Sequence, residues 1–334
     1  MKPPHFWTVG LDPKSREAAP LTRMLLTPFE ALYIAGFKRR WKRARPARAP
    51  VPIICVGNVT VGGVGKTPIV ALIRERLSLM GHRAASLSRG FGGRLEKPTR
   101  VDSATHSATD VGDEPLMLAR SGESWIGRDR AAAAHAMAEA GVEAIVMDDG
   151  FQTPSVEKTL SFLVIDGSAG FGNGYCLPKG PMREPYDTAN ARADLRVIVG
   201  TNERLPGAVV EGALRAKLVP VGPAPSGPLV AFAGIGRPTK VFDSLKTAGA
   251  DLCEGVGYGD HYVYKRSDMD FLRRLAADHQ ARLVTTEKDL VRLPEDWREG
   301  ILAWPVKMDF GDDIEKLDAA LTGALETFQN GSTD

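Results

Sequence analysis

Residues 51–57, VPIICVG, run directly into NVTVGGVGKTPIV at 58–70. A short apolar, β-branched run, a glycine-rich turn and a helix-like run opened by Lys-Thr-Pro predict a phosphate-holding loop between a strand and a helix. The template G-x-x-x-x-G-K-[ST] is met at Gly65, Lys66 and Thr67, whereas Thr60 stands where its first glycine belongs. Gly62 and Gly63 supply the backbone freedom within the loop. The N–H groups from Thr60 through Val61, Gly62, Gly63 and Val64 to Gly65 can therefore turn toward phosphate oxygens. Pro68 suits a first helical turn, where no N–H is needed. Lys66 is expected to bridge the β- and γ-phosphates and Thr67 to give its hydroxyl oxygen to Mg²⁺. An ordinary glycine-rich turn with a chance Lys-Thr is the competing reading, and it leaves the strand before and the helix after unexplained.

Beyond residue 51 short β-branched runs alternate with helical stretches: PIICVGN, PIVALIRERLSLMG, AAAAHAMAEAG, VEAIVMDD, LSFLVIDG, ADLRVIVG. This is the texture of a parallel sheet with helices on both faces, an α/β fold. The interval VPVGPAPSGP (219–228) interrupts it and reads as a hinge, after which the alternation resumes. With 334 residues, two domains are expected: a P-loop NTPase-like domain over 51–222 and a smaller α/β domain over 223–334. Residues 1–50 stand apart. LTRMLLTPFEALYIAGF (21–37) is mostly apolar, interrupted by Arg23 and Glu30, and seven of the eleven residues 38–48 are basic, with Trp41 among them. Such a helix fits a shallow lie on an anionic membrane surface, or else a buried helix with a solvated basic tail. No run of 18 uninterrupted apolar residues exists, so a spanning helix is not expected. The net charge of +2 argues against a nucleic-acid partner. Three scattered cysteines, Cys55, Cys176 and Cys253, form no disulfide or zinc pattern.

A P-loop needs an acidic residue at the end of a neighbouring strand. AIVMDDGFQ provides Asp148 and Asp149 where the apolar run stops. Turn-forming, helix-capping aspartates are the plain alternative. The guanine-reading [NT]-K-x-D is absent, since TTEKD (285–289) has Lys288 and Asp289 adjacent, and D-x-x-G is missing too. ATP is the expected nucleotide. Spacing alone leaves GDEP (112–115) as readily a helix cap as a catalytic element, and His261 in GYGDHYVY as readily structural as functional. The loops SRGFGG, GRDR and PKGPMREP carry arginines able to pair with phosphate oxygens or to sit on the surface.

In this order, GNVTVGGVGKTP, SRGFGG, GDEP, GRDR, DDGFQ, LPKGPMREP, GIGRP, GDHY and TTEKD resemble the tetraacyldisaccharide 4'-kinases of lipid A biosynthesis. The resemblance covers most of the chain and includes its apolar-basic start. It implies an enzyme at the cytoplasmic face of a Gram-negative inner membrane. That enzyme passes the γ-phosphoryl of ATP to the 4'-hydroxyl of an acylated glucosamine disaccharide 1-phosphate, giving lipid IV-A with Mg²⁺ required. No protein partner is implied. The implied catalytic residues are Asp113 as base, His261 as its partner across the hinge and Arg183 at the γ-phosphate. Asp148, Asp149, Thr67 and Glu184 are the implied magnesium residues, with Gln152 nearby. Arg128 is a further phosphate candidate. Phe91 departs from the tyrosine associated with the family, leaving stacking but no ring hydrogen bond. Domain closure over ATP is expected to complete the Asp113–His261 pair. A P-loop switch ATPase without a phosphorylated product shares the loop and the strand-end aspartates. It leaves the apolar start, GDEP and GDHY without a task.

Overall fold

The structure, a computed structural model, describes residues 4–8, 15–202 and 204–331. In chain order its strands are β1 (Ile53–Gly57), β2 (Ala84–Ser88), β3 (Thr99–Arg100), β4 (Ser124–Ile126), β5 (Ala144–Asp148), β6 (Leu160–Asp166) and β7 (Leu195–Val199). They continue with β8 (Leu214–Pro220), β9 (Pro228–Ala233), β10 (Asp251–Gly257), β11 (Arg282–Thr286), β12 (Ile301–Trp304) and β13 (Val306–Asp309).

Nine of them form one sheet in the order β13-β8-β7-β6-β1-β5-β2-β4-β3. The pairings from β8 through β4 are parallel, and only the edge strands β13 and β3 run antiparallel. Strand β1 is central and buried at every residue, as a strand covered on both faces must be. Its side chains alternate between two cores. Ile54 and Val56 meet Ile69, Val70, Ile73 and Leu77 of the helix Lys66–Leu79 and Leu317 and Leu321 of the helix Ile314–Asn330. Ile53 points the other way, to Ala133, Ala134 and Met137 of the helix Arg130–Glu139. The register Val56↔Asp148 brings the end of β5 beside the loop that leaves β1, the edge where ligands collect in such sheets.

The second sheet is wholly parallel, in the order β10-β9-β11-β12. The helix Pro238–Thr247 covers one face through Val241 and Leu245. The helix Arg266–Asp278 covers the other through Met269, Leu272 and Ala276. The expectation that everything from 223 onward forms one smaller unit needs a correction. β13 pairs with β8 of the large sheet, and the helix Ile314–Asn330 packs on the large sheet's core. Pro305 divides ILAWPVKMDF into β12 of one sheet and β13 of the other. Having no N–H to give a ladder, it marks the break, and its carbonyl accepts from Val221 N–H at 2.9 Å. Two chain crossings therefore lie side by side between the sheets, at 221–227 and at Pro305.

The first helix, Pro20–Arg43, is longer than the apolar run and carries the basic residues through Arg43. Among the described residues no helix is long and apolar enough to cross a membrane.

Candidate active site

The loop after β1 turns through Gly62 (φ +110°) and Gly65 (φ +86°), left-handed conformations that favour glycine. At Gly65 a Cβ would also sit 3.2 Å from the Met308 methyl, a tight contact that would require the methionine to shift. The helix begins at Lys66. Its Nζ donates to Asn58 Oδ1 at 3.1 Å and lies 3.5 Å from Asp149 Oδ1. Thr67 Oγ1 donates to Asp148 Oδ2 at 3.2 Å.

The other oxygen of Asp148, Oδ1, is buried without a hydrogen-bond partner. Burial pushes the Asp148 carboxyl up to about 7, with Glu114 and Asp149 adding to the rise and Lys66 and Thr67 opposing it. A shielded, unpaired carboxylate oxygen beside a threonine hydroxyl is a hard-oxygen donor set that fits Mg²⁺. No cluster of three or more His, Cys, Asp or Glu able to hold a metal occurs among the described residues. A cation here would draw its remaining ligands from phosphate and water, as Mg²⁺ commonly does.

Asp149 is held in place from a second side. Arg183 Nη1 donates to its Oδ1 and Oδ2 at 2.8 and 2.9 Å and to Gln152 Oε1 at 3.3 Å. Burial opposes the charge on Asp149, but Lys66 and Arg183 hold its carboxyl down to about 2. Gln152 Nε2 in turn donates to Asn58 O at 2.7 Å and Glu184 Oε1 at 3.0 Å. Glu184 differs from its expected place at the metal. It is fully buried, and its Oε2 accepts from Arg192 Nη2 at 2.6 Å. A carboxylate so engaged braces Gln152 and is absent from the cleft wall.

Across the cleft, GDEP and GDHY meet. Gly112 (φ +90°) turns the chain into the helix Asp113–Ala119, and Asp113 Oδ1 accepts from Glu114 N–H at 3.0 Å. Asp113 Oδ2 lies 3.1 Å from His261 Nδ1 and accepts from Arg292 Nε at 2.7 Å and from Arg292 Nη2. Lys288 Nζ is 3.9 Å from the same oxygen and 2.9 Å from Glu114 Oε1. Burial works to raise the Asp113 carboxyl, but the His261 hydrogen bond and the charges of Lys288 and Arg292 hold it well below the usual range. The pairing expected to await closure is direct in this structure.

Arg292 and Lys288 were not given roles from the sequence. Both lie on the short helix Glu287–Arg292, one turn apart, and so both reach Asp113. The signal was present in Lys288 of TTEKD and in a second cation four residues on. Arg292 also donates to Asp289 Oδ1 at 2.9 Å and Gly234 O at 2.6 Å. Asn58, the Lys66 acceptor, carries no mark of that role in the sequence.

Between the two sheets lies a cleft of about 1780 Å³, lined by Gly62 to Thr67, Asp148, Asp149, Gln152, Arg183, Phe91, Glu114, His261 and Lys288. Phe91 is largely exposed there, its ring 5.8 Å from that of His261 at 71°. Arg128 is outside the cleft, in an exposed pair with Glu96 at 2.8 Å, so the GRDR arginine that lines the cleft is Arg130. Arg130 donates to the carbonyls of Ser88 and Gly127.

A lysine-bearing glycine loop, a strand-end aspartate beside its threonine and a carboxylate–histidine pair across one cleft define a P-loop phosphotransferase. A family model described as Tetraacyldisaccharide-1-P 4'-kinase matches residues 22–326. A Tetraacyldisaccharide 4'-kinase of Hyphomonas neptunium is 55% identical over 323 residues, covering 96% of this chain and 97% of its own length. One of Caulobacter vibrioides is 46% identical, covering 96% and 98%. A crystal structure of LpxK from Aquifex aeolicus in complex with ATP matches with a TM-score of 0.73 at 25% identity, covering 91% of this chain and 99% of that one. The chain belongs to the tetraacyldisaccharide-1-P 4'-kinase family, as the order of its motifs implied.

Proposed function

We propose that this chain transfers the γ-phosphoryl group of ATP to the 4'-hydroxyl of a tetraacylated glucosamine disaccharide 1-phosphate, making lipid IV-A for lipid A biosynthesis. The observation that carries the reading is the meeting of two half-sites on one cleft. Lys66, Thr67 and Asp148 stand on the nucleotide side, and the Asp113–His261 pair on the other.

The loop amides from Thr60 to Gly65 and Lys66 would bind the triphosphate, with the helix Lys66–Leu79 adding its positive end. Thr67 and Asp148 would hold Mg²⁺, which would supply positive charge against the triphosphate. Arg183, whose Nη1 donates to both oxygens of Asp149, stands beside Lys66 to meet charge on the transferred group. A sugar hydroxyl is a weak nucleophile, and its proton passes to the Asp113–His261 pair as the oxygen bonds to the γ-phosphorus. The bond from that phosphorus to the bridging oxygen breaks, releasing ADP. Asp113 is buried and His261 lines the cleft, so the imidazole stands between the carboxylate and the acceptor. Arg292 and Lys288 keep Asp113 ionised and fixed.

A four-chain lipid stays in its bilayer, so the enzyme works at the surface. Leu21, Met24, Leu25, Phe29 and Leu32 support this reading: they form an exposed apolar stripe on the helix Pro20–Arg43, followed by the exposed cations Lys38, Arg39, Lys42 and Arg43. Seating at the cytoplasmic face of the inner membrane follows from where ATP is available.

Lys66→Ala tests the reading. With radiolabelled ATP and the disaccharide lipid in mixed micelles, wild type should label the lipid and the variant should lose at least about a hundredfold in rate. Label released only as inorganic phosphate, with or without lipid, would favour a switch ATPase. Equal labelling by both proteins would remove the phosphate-loop assignment.

A further inference from the structure

Glu30 is the one acidic residue in the mostly apolar stretch 21–37, and the structure shows what it holds. Its Oε1 accepts from the Cys176 N–H at 2.7 Å, and its Oε2 lies 3.5 Å from Lys179 Nζ, both side chains being 12% exposed. One helical turn on, the Tyr33 hydroxyl donates to the Arg183 carbonyl at 2.8 Å. Arg40 continues the same face, donating to the Gln152 carbonyl at 3.2 Å. The helix Pro20–Arg43 thus carries an exposed apolar stripe and, beside it, polar side chains that hydrogen-bond the neighbouring loops. Leu21, Met24, Leu25, Phe29 and Leu32 look outward, while Glu30, Tyr33 and Arg40 grip the loops that carry Arg183 and Gln152.

Arg183 is pinned at three points by three elements. Its N–H donates to Val59 O at 2.6 Å, just ahead of the phosphate loop. Its carbonyl takes the Tyr33 hydroxyl, and its guanidinium takes Asp149. The preceding Pro181 carbonyl accepts from Val61 N–H at 2.9 Å, so this segment is laced to the phosphate loop itself. A carboxyl group so little exposed to water would be costly without these partners, which makes the seat of Glu30 on the loop specific.

We propose that Tyr33 and Glu30 are positioning residues that fasten the lipid-facing helix to Arg183, so that the arginine is correctly aimed when the helix is seated on a lipid surface. The inference rests on the kinase reading above and adds a coupling between the acceptor's surface and the phosphate-handling arginine. Neither side chain touches a reacting atom. Both act through the main chain of residues 176–183.

The test is a double-mutant cycle of Tyr33→Phe with Arg183→Ala, read as kcat for lipid phosphorylation at saturating ATP and lipid. Two controls run beside it: KM for ATP, and co-sedimentation with vesicles of phosphatidylethanolamine and phosphatidylglycerol. Tyr33→Phe should lower kcat about fivefold, the size of one lost hydrogen bond. KM for ATP and vesicle binding should stay within about twofold, and nothing further should be lost when Arg183 is already alanine. An unchanged kcat, or losses that multiply in the double variant, would overturn the coupling, as would a fall in vesicle binding large enough to explain the rate. Should Tyr33→Phe melt early, Glu30→Gln is read by the same criteria. A wild-type enzyme that leaves the lipid unlabelled would strike the kinase reading instead, which keeps the two failures apart.

Discussion

Asp113 Oδ2 and His261 Nδ1 lie 3.1 Å apart, one from a helix on the large sheet and the other from a loop of the small one. The contact joins the two halves of the cleft, and in the proposed reaction the acceptor alcohol would lose its proton there. His261→Ala should therefore lower kcat by about a hundredfold or more, the usual weight of a positioned acid–base group. Asp113→Asn should do the same. ATP affinity, read by fluorescent-nucleotide displacement, should change little in His261→Ala. A variant that lost ATP binding and turnover in equal measure would place the histidine at the nucleotide instead.

The same carboxylate makes a stability prediction through Arg292, whose side chain is 7% exposed and serves both Asp113 and Asp289. Removing it in Arg292→Ala leaves two buried carboxylates short of a partner and should cost about 3 kcal/mol at neutral pH, read by urea unfolding. His261 and Lys288 still face Asp113, and Tyr264 and Thr286 still hydrogen-bond Asp289. The pH dependence has a definite sign. The folded Asp113 carboxyl lies below its unfolded value of about 3.9, so its contribution is complete above that value. It is lost as pH falls through the folded value. The gap between wild type and variant should thus be flat above about pH 5 and narrow below about pH 4. A gap that widened in acid would contradict the pairing.

These contacts also show what was legible beforehand. The strand β1, its glycine loop and the Asp148 strand end follow from local pattern, because a strand buried on both faces must be continuously apolar and a phosphate loop must be rich in glycine. Spacing leaves Asp113 and His261 as separate motifs and the family resemblance pairs them; the fold brings them within 3.1 Å. β13 was hidden because one apolar run, ILAWPVKMDF, serves two sheets, and the partner of so short a strand is set by tertiary pairing. Glu184 and Arg128 were misplaced for a related reason. A carboxylate or a guanidinium in a loop motif carries no mark of which way it faces, and here Glu184 turns to Arg192 and Arg128 to Glu96. Glu30 interrupts an apolar texture in the sequence, while its partners at Cys176 and Lys179 are far along the chain.

The unpartnered Oδ1 of Asp148 leads to a third expectation. If this oxygen takes a divalent cation, Asp148→Asn should weaken Mn²⁺ binding in the presence of ATP, followed by electron paramagnetic resonance. It should also lower kcat about a hundredfold. Excess Mg²⁺ should recover part of that loss. A variant with wild-type Mn²⁺ binding would leave the orphaned oxygen to a water or a protein donor.

The exposed stripe on the helix Pro20–Arg43 gives the last expectation, and its two components can be separated. Leu21, Met24, Leu25, Phe29 and Leu32 are each more than half exposed, and such a contiguous apolar patch on a soluble surface needs a cover. Replacing Leu25, Phe29 and Leu32 with serine should lower partition onto anionic vesicles by about a hundredfold. Each side chain contributes on the order of 1 kcal/mol when only partly immersed. The exposed cations Lys38, Arg39, Lys42 and Arg43 act differently, because attraction to anionic headgroups is screened by salt whereas apolar immersion is not. Wild-type binding should therefore fall as salt rises, and the serine variant should show the same salt slope from a lower starting point. Turnover of the lipid should follow partition in both proteins, and ATP affinity should not. If the triple variant bound vesicles and turned over lipid like wild type, the stripe would have to face something other than a bilayer.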